Sequence, residues 1–146
     1  MDIKSCVVNL LKTHETADPY KLAASMGIRI YELDLPIGIR GFYVIIKEER
    51  FIALNHILND SARRIVVAHE LGHVVLHKDY GHYLMPGQYY RRSSRREAEA
   101  NEFAARLLAL TSQVDEDEVM AHLHHYRHDP DRVHTYLRET FGDWDD

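Results

Sequence analysis

The sequence contains a single cysteine, Cys6, among its 146 residues. One thiol excludes an intrachain disulfide and a zinc site built from four cysteines. No stretch approaches the roughly 18 apolar residues that a membrane-spanning helix needs. The N-terminal segment MDIKSCVVNLLKTHE has too short an apolar run for a signal peptide. We therefore expect a cytoplasmic protein that makes no use of a membrane.

Positive charge is also scarce, with 18 Lys and Arg against 23 Asp and Glu and a net charge of −5. This balance gives no basis for nonspecific nucleic-acid binding, and no helix-turn-helix is recognisable, so direct DNA binding is not expected. Hydrophobic residues make up 45% and charged residues 28% of the chain, which is typical of a folded globular protein. The length predicts one domain over residues 1–146 that buries its core without cross-links.

The periodicity of apolar residues predicts an α+β fold in which helices come before and after a small sheet along the chain. Two N-terminal helices precede a strand at 28–35 and a hairpin at 39–55, whose turn is Lys47 to Arg50. A long helix follows from Ser61 to about His77, and an Ala- and Glu-rich helix covers 95–110. Two further helices, at 114–126 and 129–141, form a C-terminal extension that begins at about residue 113. The expected sheet is antiparallel or mixed and has about three strands.

The motif HELGH, from His69 to His73, lies inside the long helix. Residues four apart share a helix face, so both imidazoles can reach one ion. Glu70 lies about 100° round the helix from His69. It therefore borders the ion without pointing at it, as a general base for an attacking water does. Gly72 would cost roughly 1 kcal/mol against alanine in a helix, which indicates that another segment packs closely there.

A catalytic zinc ion usually has three protein ligands, so a third must be found. His77 lies eight residues after His69, about 12 Å along the axis, which is too far for a shared ion. Instead of binding the ion, His77 could pack under the site or contact one of the residues that bind the ion. A metzincin would need a glycine at 76 and a histidine at 79, and this chain has Leu76 and Asp79.

The next helix offers EAEAN, with two acids and an amide. Glu97 and Asn101 share a face, so Asn101 could accept a hydrogen bond from the far nitrogen of a ligand histidine. The corresponding partner of Glu99 is Phe103, which cannot accept one. We therefore prefer Glu97 as the third ligand and keep Glu99 in reserve. The competing interpretation is a buried helix whose two histidines have ordinary polar partners, and buried polar groups without partners would be costly.

HELGHVVLH followed by EAEANEFAARLLAL resembles the ImmA/IrrE family of metallopeptidases over roughly residues 16–112. The resemblance implies a zincin-like minidomain with one zinc ion on gluzincin-like ligands, His69, His73 and Glu97, and with Glu70 as catalytic base. It also implies a phage or bacterial mobile-element protein that cleaves a helix-turn-helix repressor encoded nearby and so derepresses genes. Many members have a proline after the Leu-Leu pair, and its absence from LLALTSQ leaves the exit of that helix in doubt.

Several further hypotheses accompany this one. Tyr80, His82 or Tyr83, between the two metal helices, could stabilise an oxyanion or contact substrate. The strand RFIALN could pair with an extended substrate as an edge strand, or be purely structural. The C-terminal histidines could form a second metal site. The alternative function is a non-proteolytic zinc-containing regulator that binds a repressor or toxin partner, and two histidines with a carboxylate also suit other divalent metals.

Overall fold

Six helices and three strands make up the part of the chain that the computed structural model describes, residues 2–77, 81, 94–111, 114–125 and 130–142. In order they are α1 (Ile3–His14), α2 (Pro19–Ser25), β1 (Arg29–Leu33), β2 (Gly41–Ile46), β3 (Glu49–Asn55), α3 (Asp60–Leu76), α4 (Ser94–Ala109), α5 (Glu116–His125) and α6 (Pro130–Phe141). The predicted α+β fold with a small mixed sheet is confirmed. No helix among these residues is both long and apolar enough to cross a membrane.

Local capping explains where the first three helices begin. The side chain of Asp2 accepts from the amide of Ser5, and that of Asp18 accepts from the amides that follow Pro19. Asn59 accepts from the amide of Ala62 at the start of α3. Each cap satisfies amides that the first turn of a helix leaves without an intrahelical acceptor.

The sheet is open and mixed, in the order β1–β3–β2. β1 runs parallel to β3, whereas β2 pairs with β3 in an antiparallel hairpin. The hairpin turn is shorter than predicted, because only Lys47 and Glu48 lie between the strands, both with positive φ. Of the two interpretations of RFIALN, the substrate-binding edge strand is wrong, and the structural strand is left. Those residues belong to β3, whose two edges are already paired, so the outer strands are β1 and β2.

The strand β2 lies unusually close to the helix α3. A Cβ on Gly41 would stand 2.6 Å from the carbonyl oxygen of Ala53 and 2.8 Å from Cγ1 of Val66. No side chain fits in that space, so a glycine is needed where the strand meets the helix. The core between sheet and helices includes these fully buried large side chains: Phe42, Phe103, Leu22, Ile52, Leu54, Ile65, Leu71 and Leu107.

The helix α4 packs along α3 through small residues. A Cβ on Gly72 would lie 3.1 Å from both Cα and the carbonyl oxygen of Ala100, and 3.1 Å from Cβ of Phe103. Gly72 therefore lies where a neighbouring segment approaches closely, as its sequence context indicated. α4 ends without a proline: Thr111 donates its amide and hydroxyl to the carbonyl of Leu108, which closes the last turn.

Candidate metal centre

Three buried side chains from α3 and α4 converge on one point. Nε2 of His69 lies 3.3 Å from Oε1 of Glu97, and Nε2 of His73 lies 2.7 Å from Oε2 of Glu97. The two histidines are fully buried and Glu97 is 6% exposed. Each residue offers one ligand atom within 4.8 Å of the others. The structure therefore brings together the three residues that the spacing argument and the resemblance selected.

The dimensions and chemistry of this cluster fit a divalent ion. A tetrahedral zinc ion with bonds of 2.0–2.1 Å places neighbouring ligand atoms about 3.3 Å apart. The separation of 3.3 Å between His69 Nε2 and Glu97 Oε1 equals that value, whereas the 2.7 Å between His73 Nε2 and Glu97 Oε2 is shorter and lies in the hydrogen-bond range. Neutral imidazole nitrogens and a carboxylate are ordinary ligands of zinc, and a buried carboxylate needs a cationic or hydrogen-bonding partner. Among the residues described, no second cluster of this kind occurs; the proposed C-terminal one includes His128, which lies outside them.

Glu70 is held in place by the edge strand of the sheet. Its side chain is fully buried, and Oε1 accepts a hydrogen bond of 3.0 Å from the backbone amide of Tyr43 on β2. The amide of Ile45, two residues on, donates to the carbonyl of Gly81 at 3.0 Å. These two amides of β2 thus bind Glu70 and Gly81 rather than another strand. Glu70 follows His69 directly on α3, and the hydrogen bond from Tyr43 gives its buried carboxylate a fixed orientation.

On the side away from Glu97, the ring of His73 contacts a second group of polar side chains. Nδ1 of His73 lies 2.9 Å from Nδ1 of His77, and Nε2 of His77 lies 3.0 Å from Oε1 of Glu99. The hydrogen bond from His77 lowers the pKa of the Glu99 carboxyl below its ordinary value. Glu99 therefore contacts His77 instead of joining the cluster of His69, His73 and Glu97. His77 contacts the proposed ligand His73 and is not itself part of that cluster.

The contact expected at Asn101 is not formed. Its Oδ1 is buried and accepts no hydrogen bond within the part of the chain that the structure describes. The far nitrogen of His73, which the prediction could have assigned to Asn101, is directed to His77. Asn101 shares a helix face with Glu97, but helix geometry does not reveal the competing acceptor at the end of α3.

Arg40 and His122 form a contact that the sequence did not reveal, because they are 82 positions apart. Nη1 of Arg40 lies 3.2 Å from Nε2 of His122 and donates to its carbonyl at 3.3 Å. Burial, reinforced by the positive charge of Arg40, lowers the pKa of His122 to about 4. The helix α5 therefore contributes to the surroundings of the cluster. Tyr80, His82 and Tyr83 lie outside the described residues, so their suggested contacts remain predictions.

Two histidines and a glutamate on adjacent helices form a class of site that could hold a metal ion, and a second glutamate, Glu70, follows the first histidine in sequence. The chain belongs to the peptidase M78 family, a metallopeptidase family: its model, described as the IrrE N-terminal-like domain, matches residues 23–142. A relative from Bacillus phage phi105, named "Uncharacterized immunity region protein 2", is 37% identical over 106 residues, which cover 73% of this chain and 67% of the phage protein. No solved structure matches the chain significantly.

Proposed function

We propose that the chain is a zinc-dependent endopeptidase that works as a single domain over residues 1–146 in the cytoplasm. Its substrate is a helix-turn-helix repressor encoded nearby, and cleavage derepresses the genes that this repressor controls. The observation that carries the proposal is the buried cluster of His69, His73 and Glu97 with Glu70 held beside it. A purely structural zinc site usually has four ligands and is rich in cysteine, and it would have no use for an oriented glutamate next to it.

His69, His73 and Glu97 would hold the ion, which when bound would polarise a peptide carbonyl and make water more acidic. Glu70 would accept the proton of the attacking water as a general base. The same carboxyl would then deliver that proton to the leaving amine. The hydrogen bond from the Tyr43 amide to Oε1 fixes the direction of the carboxylate. Burial of Glu70 keeps bulk water from competing for the proton.

The repressor substrate is supported by the name of a relative and by the family resemblance rather than by geometry. The phage relative is named for an immunity region, and the resemblance to ImmA/IrrE proteins implies a repressor as target. The net charge of −5 gives the chain no basis for binding DNA itself. A protein partner therefore agrees better with the composition than a nucleic acid does.

The test compares Glu70→Gln with the wild type on a repressor from the adjacent gene. Glutamine keeps the shape of the side chain and can accept from the Tyr43 amide, but it cannot take a proton. We expect Glu70→Gln to bind zinc like the wild type, measured by metal analysis, and to cleave at least about 10²-fold more slowly. Glu102→Gln is the matched control, because Glu102 is exposed on α4 and pairs only locally with Arg106.

Two outcomes would contradict the proposal. Cleavage by Glu70→Gln at the wild-type rate would exclude Glu70 as the base. A stable complex between the zinc-loaded wild type and the repressor, without new fragments on mass spectrometry, would favour the alternative of a non-proteolytic regulator. Discrete fragments that depend on Glu70 would support the endopeptidase.

A further inference from the structure

We propose that His77 and Glu99 are positioning residues that hold the ligand His73 in the tautomer that binds the metal. They form a relay of two hydrogen bonds that begins at a carboxylate on α4 and ends at the far nitrogen of His73. This inference rests on the proposed metal site and adds to it a pair of residues that contact neither the ion nor the substrate.

His73, His77 and Glu99 are connected by two consecutive contacts of hydrogen-bond length. His73 Nδ1 and His77 Nδ1 are 2.9 Å apart, and His77 Nε2 is 3.0 Å from Glu99 Oε1. Both are hydrogen-bond distances. His77 is 7% exposed, so water competes little for its ring nitrogens. The Glu99 side chain is 22% exposed, and the guanidinium of Arg95 lies 3.8 Å from its other oxygen.

The direction of the two hydrogen bonds follows from the carboxylate. An ionised Glu99 can only accept, so the proton of a neutral His77 belongs on Nε2. Nδ1 of His77 then carries a lone pair and accepts from the Nδ1 proton of His73. That leaves the lone pair of His73 on Nε2, the atom that faces Glu97 at 2.7 Å. The relay therefore selects the tautomer that can coordinate an ion, as partners of ligand histidines generally do.

The fold explains why these two residues can reach each other. α3 ends at Leu76, and His77 leaves the helix with φ −127° and ψ 100° while its amide still donates to the carbonyl of His73. Glu99 lies on α4 two residues after Glu97, about 200° round that helix. One acid thus reaches the ligand atoms and the other reaches the end of α3. A single helix supplies both a ligand and the acceptor that orients another ligand.

The test measures zinc affinity by competition with a chelator in three variants of the full chain. Glu99→Ala removes the acceptor, and we expect about 10- to 100-fold weaker binding. Glu99→Gln keeps an amide oxygen that can accept from His77, so its affinity should stay within about threefold of the wild type. Glu102→Ala, which removes an exposed carboxylate from the same helix, should leave the affinity unchanged.

A second measurement separates the relay from a general structural role. His77→Phe keeps a ring but has no acceptor for His73, so it should lose about as much affinity as Glu99→Ala. The double variant should lose no more than either one, because the two residues act as a unit. The visible spectrum of the Co²⁺ form should change in both single variants and stay like that of the wild type in Glu99→Gln.

The outcomes distinguish the relay from the proposed function. Additive losses in the double variant, wild-type affinity in Glu99→Ala, or a Glu99→Gln variant as weak as Glu99→Ala would overturn the relay while leaving the metal site intact. If His77→Phe does not fold, the comparison of alanine and glutamine at Glu99 decides alone. A wild-type protein that binds no zinc would instead overturn the proposed function, on which the relay depends.

Discussion

Replacing Gly72 by alanine tests how closely α4 lies against α3. The new Cβ would lie 3.1 Å from Cα and the carbonyl oxygen of Ala100, and equally close to Cβ of Phe103. Attractive contacts between carbon atoms have their optimum at about 3.5–4.0 Å. Two of the three neighbouring atoms are helix backbone, which cannot rotate away as a side chain can. We therefore expect α4 to shift by a few tenths of an ångström.

Two opposing contributions determine how much Gly72→Ala changes the free energy of unfolding. Alanine is favoured over glycine in a helix interior by about 1 kcal/mol. Overpacking a well-filled interior costs about 1–3 kcal/mol. We expect a net loss of about 1 kcal/mol in the free energy of unfolding. Zinc affinity should also fall, because Glu97 is on the helix that has to move, whereas His69 and His73 are on α3.

The assay is urea unfolding of the metal-free protein, together with zinc affinity by chelator competition. Ala98→Gly is the control: Ala98 is exposed on α4, so this variant reports helix propensity alone and should lose about 1 kcal/mol. A Gly72→Ala variant that gains the full 1 kcal/mol and binds zinc like the wild type would refute the close contact between the helices.

Three further predictions concern stability. Asn55→Ala should lower the free energy of unfolding by about 3 kcal/mol in urea, because the buried amide of Asn55 donates to the carbonyls of Leu35 and Ile39; a loss under about 1 kcal/mol would contradict this. Burial and the charge of Arg40 lower the pKa of His122 from 6.5 to about 4, so the stability that neutral His122 gives is complete above about pH 6.5 and lost as the pH falls through about 4. Urea unfolding at a series of pH values should therefore show that the free energy of unfolding falls less toward acid pH in His122→Gln than in the wild type. Equal pH dependence of the two proteins would argue against this. Zinc at about 100 times its Kd should stabilise the wild type by about 2.7 kcal/mol; EDTA should abolish the shift, and an unchanged Tm with zinc would count against the site.

Helix positions could be predicted because the signals that set them are local. The two N-terminal helices that the sequence predicts are α1 and α2, and Asp18 and Pro19 begin α2 through a side-chain cap and a first-turn proline. Sheet order could not be predicted in the same way. The parallel pairing of β1 with β3 depends on contacts between segments that the hairpin strand β2 separates along the chain. The alternation of apolar residues in RFIALN is the same for an edge strand and a central strand, so both interpretations stayed open until the pairing of β3 with β1 and β2 was known.

In the candidate site, too, local features could be predicted from the sequence, whereas contacts between distant segments could not. The spacing of His69, Glu70 and His73 follows from helix geometry. Glu97 is preferred to Glu99 because Asn101 shares its helix face, and Glu97 does join the cluster although that supporting contact is not formed. The contact at Asn101 was wrongly predicted, since a helix face indicates which residues are neighbours but not which acceptor a given nitrogen meets. The pairing of Arg40 with His122 depends on the approach of α5, and neither residue has a neighbour in sequence that would indicate it.

The dependence of the centre on a single helix contact has a thermodynamic consequence. α3 supplies two proposed ligands and α4 supplies the third, and Gly72 sets the distance between the helices. An ion bound to all three must therefore stabilise the contact by the same free energy by which the contact organises its ligands. Variants that widen the contact should bind zinc more weakly, and saturating zinc should give them a smaller increase in unfolding free energy than the wild type receives. A change at Asn55, which lies on the sheet and away from this contact, should lower stability while leaving the increase due to zinc unchanged.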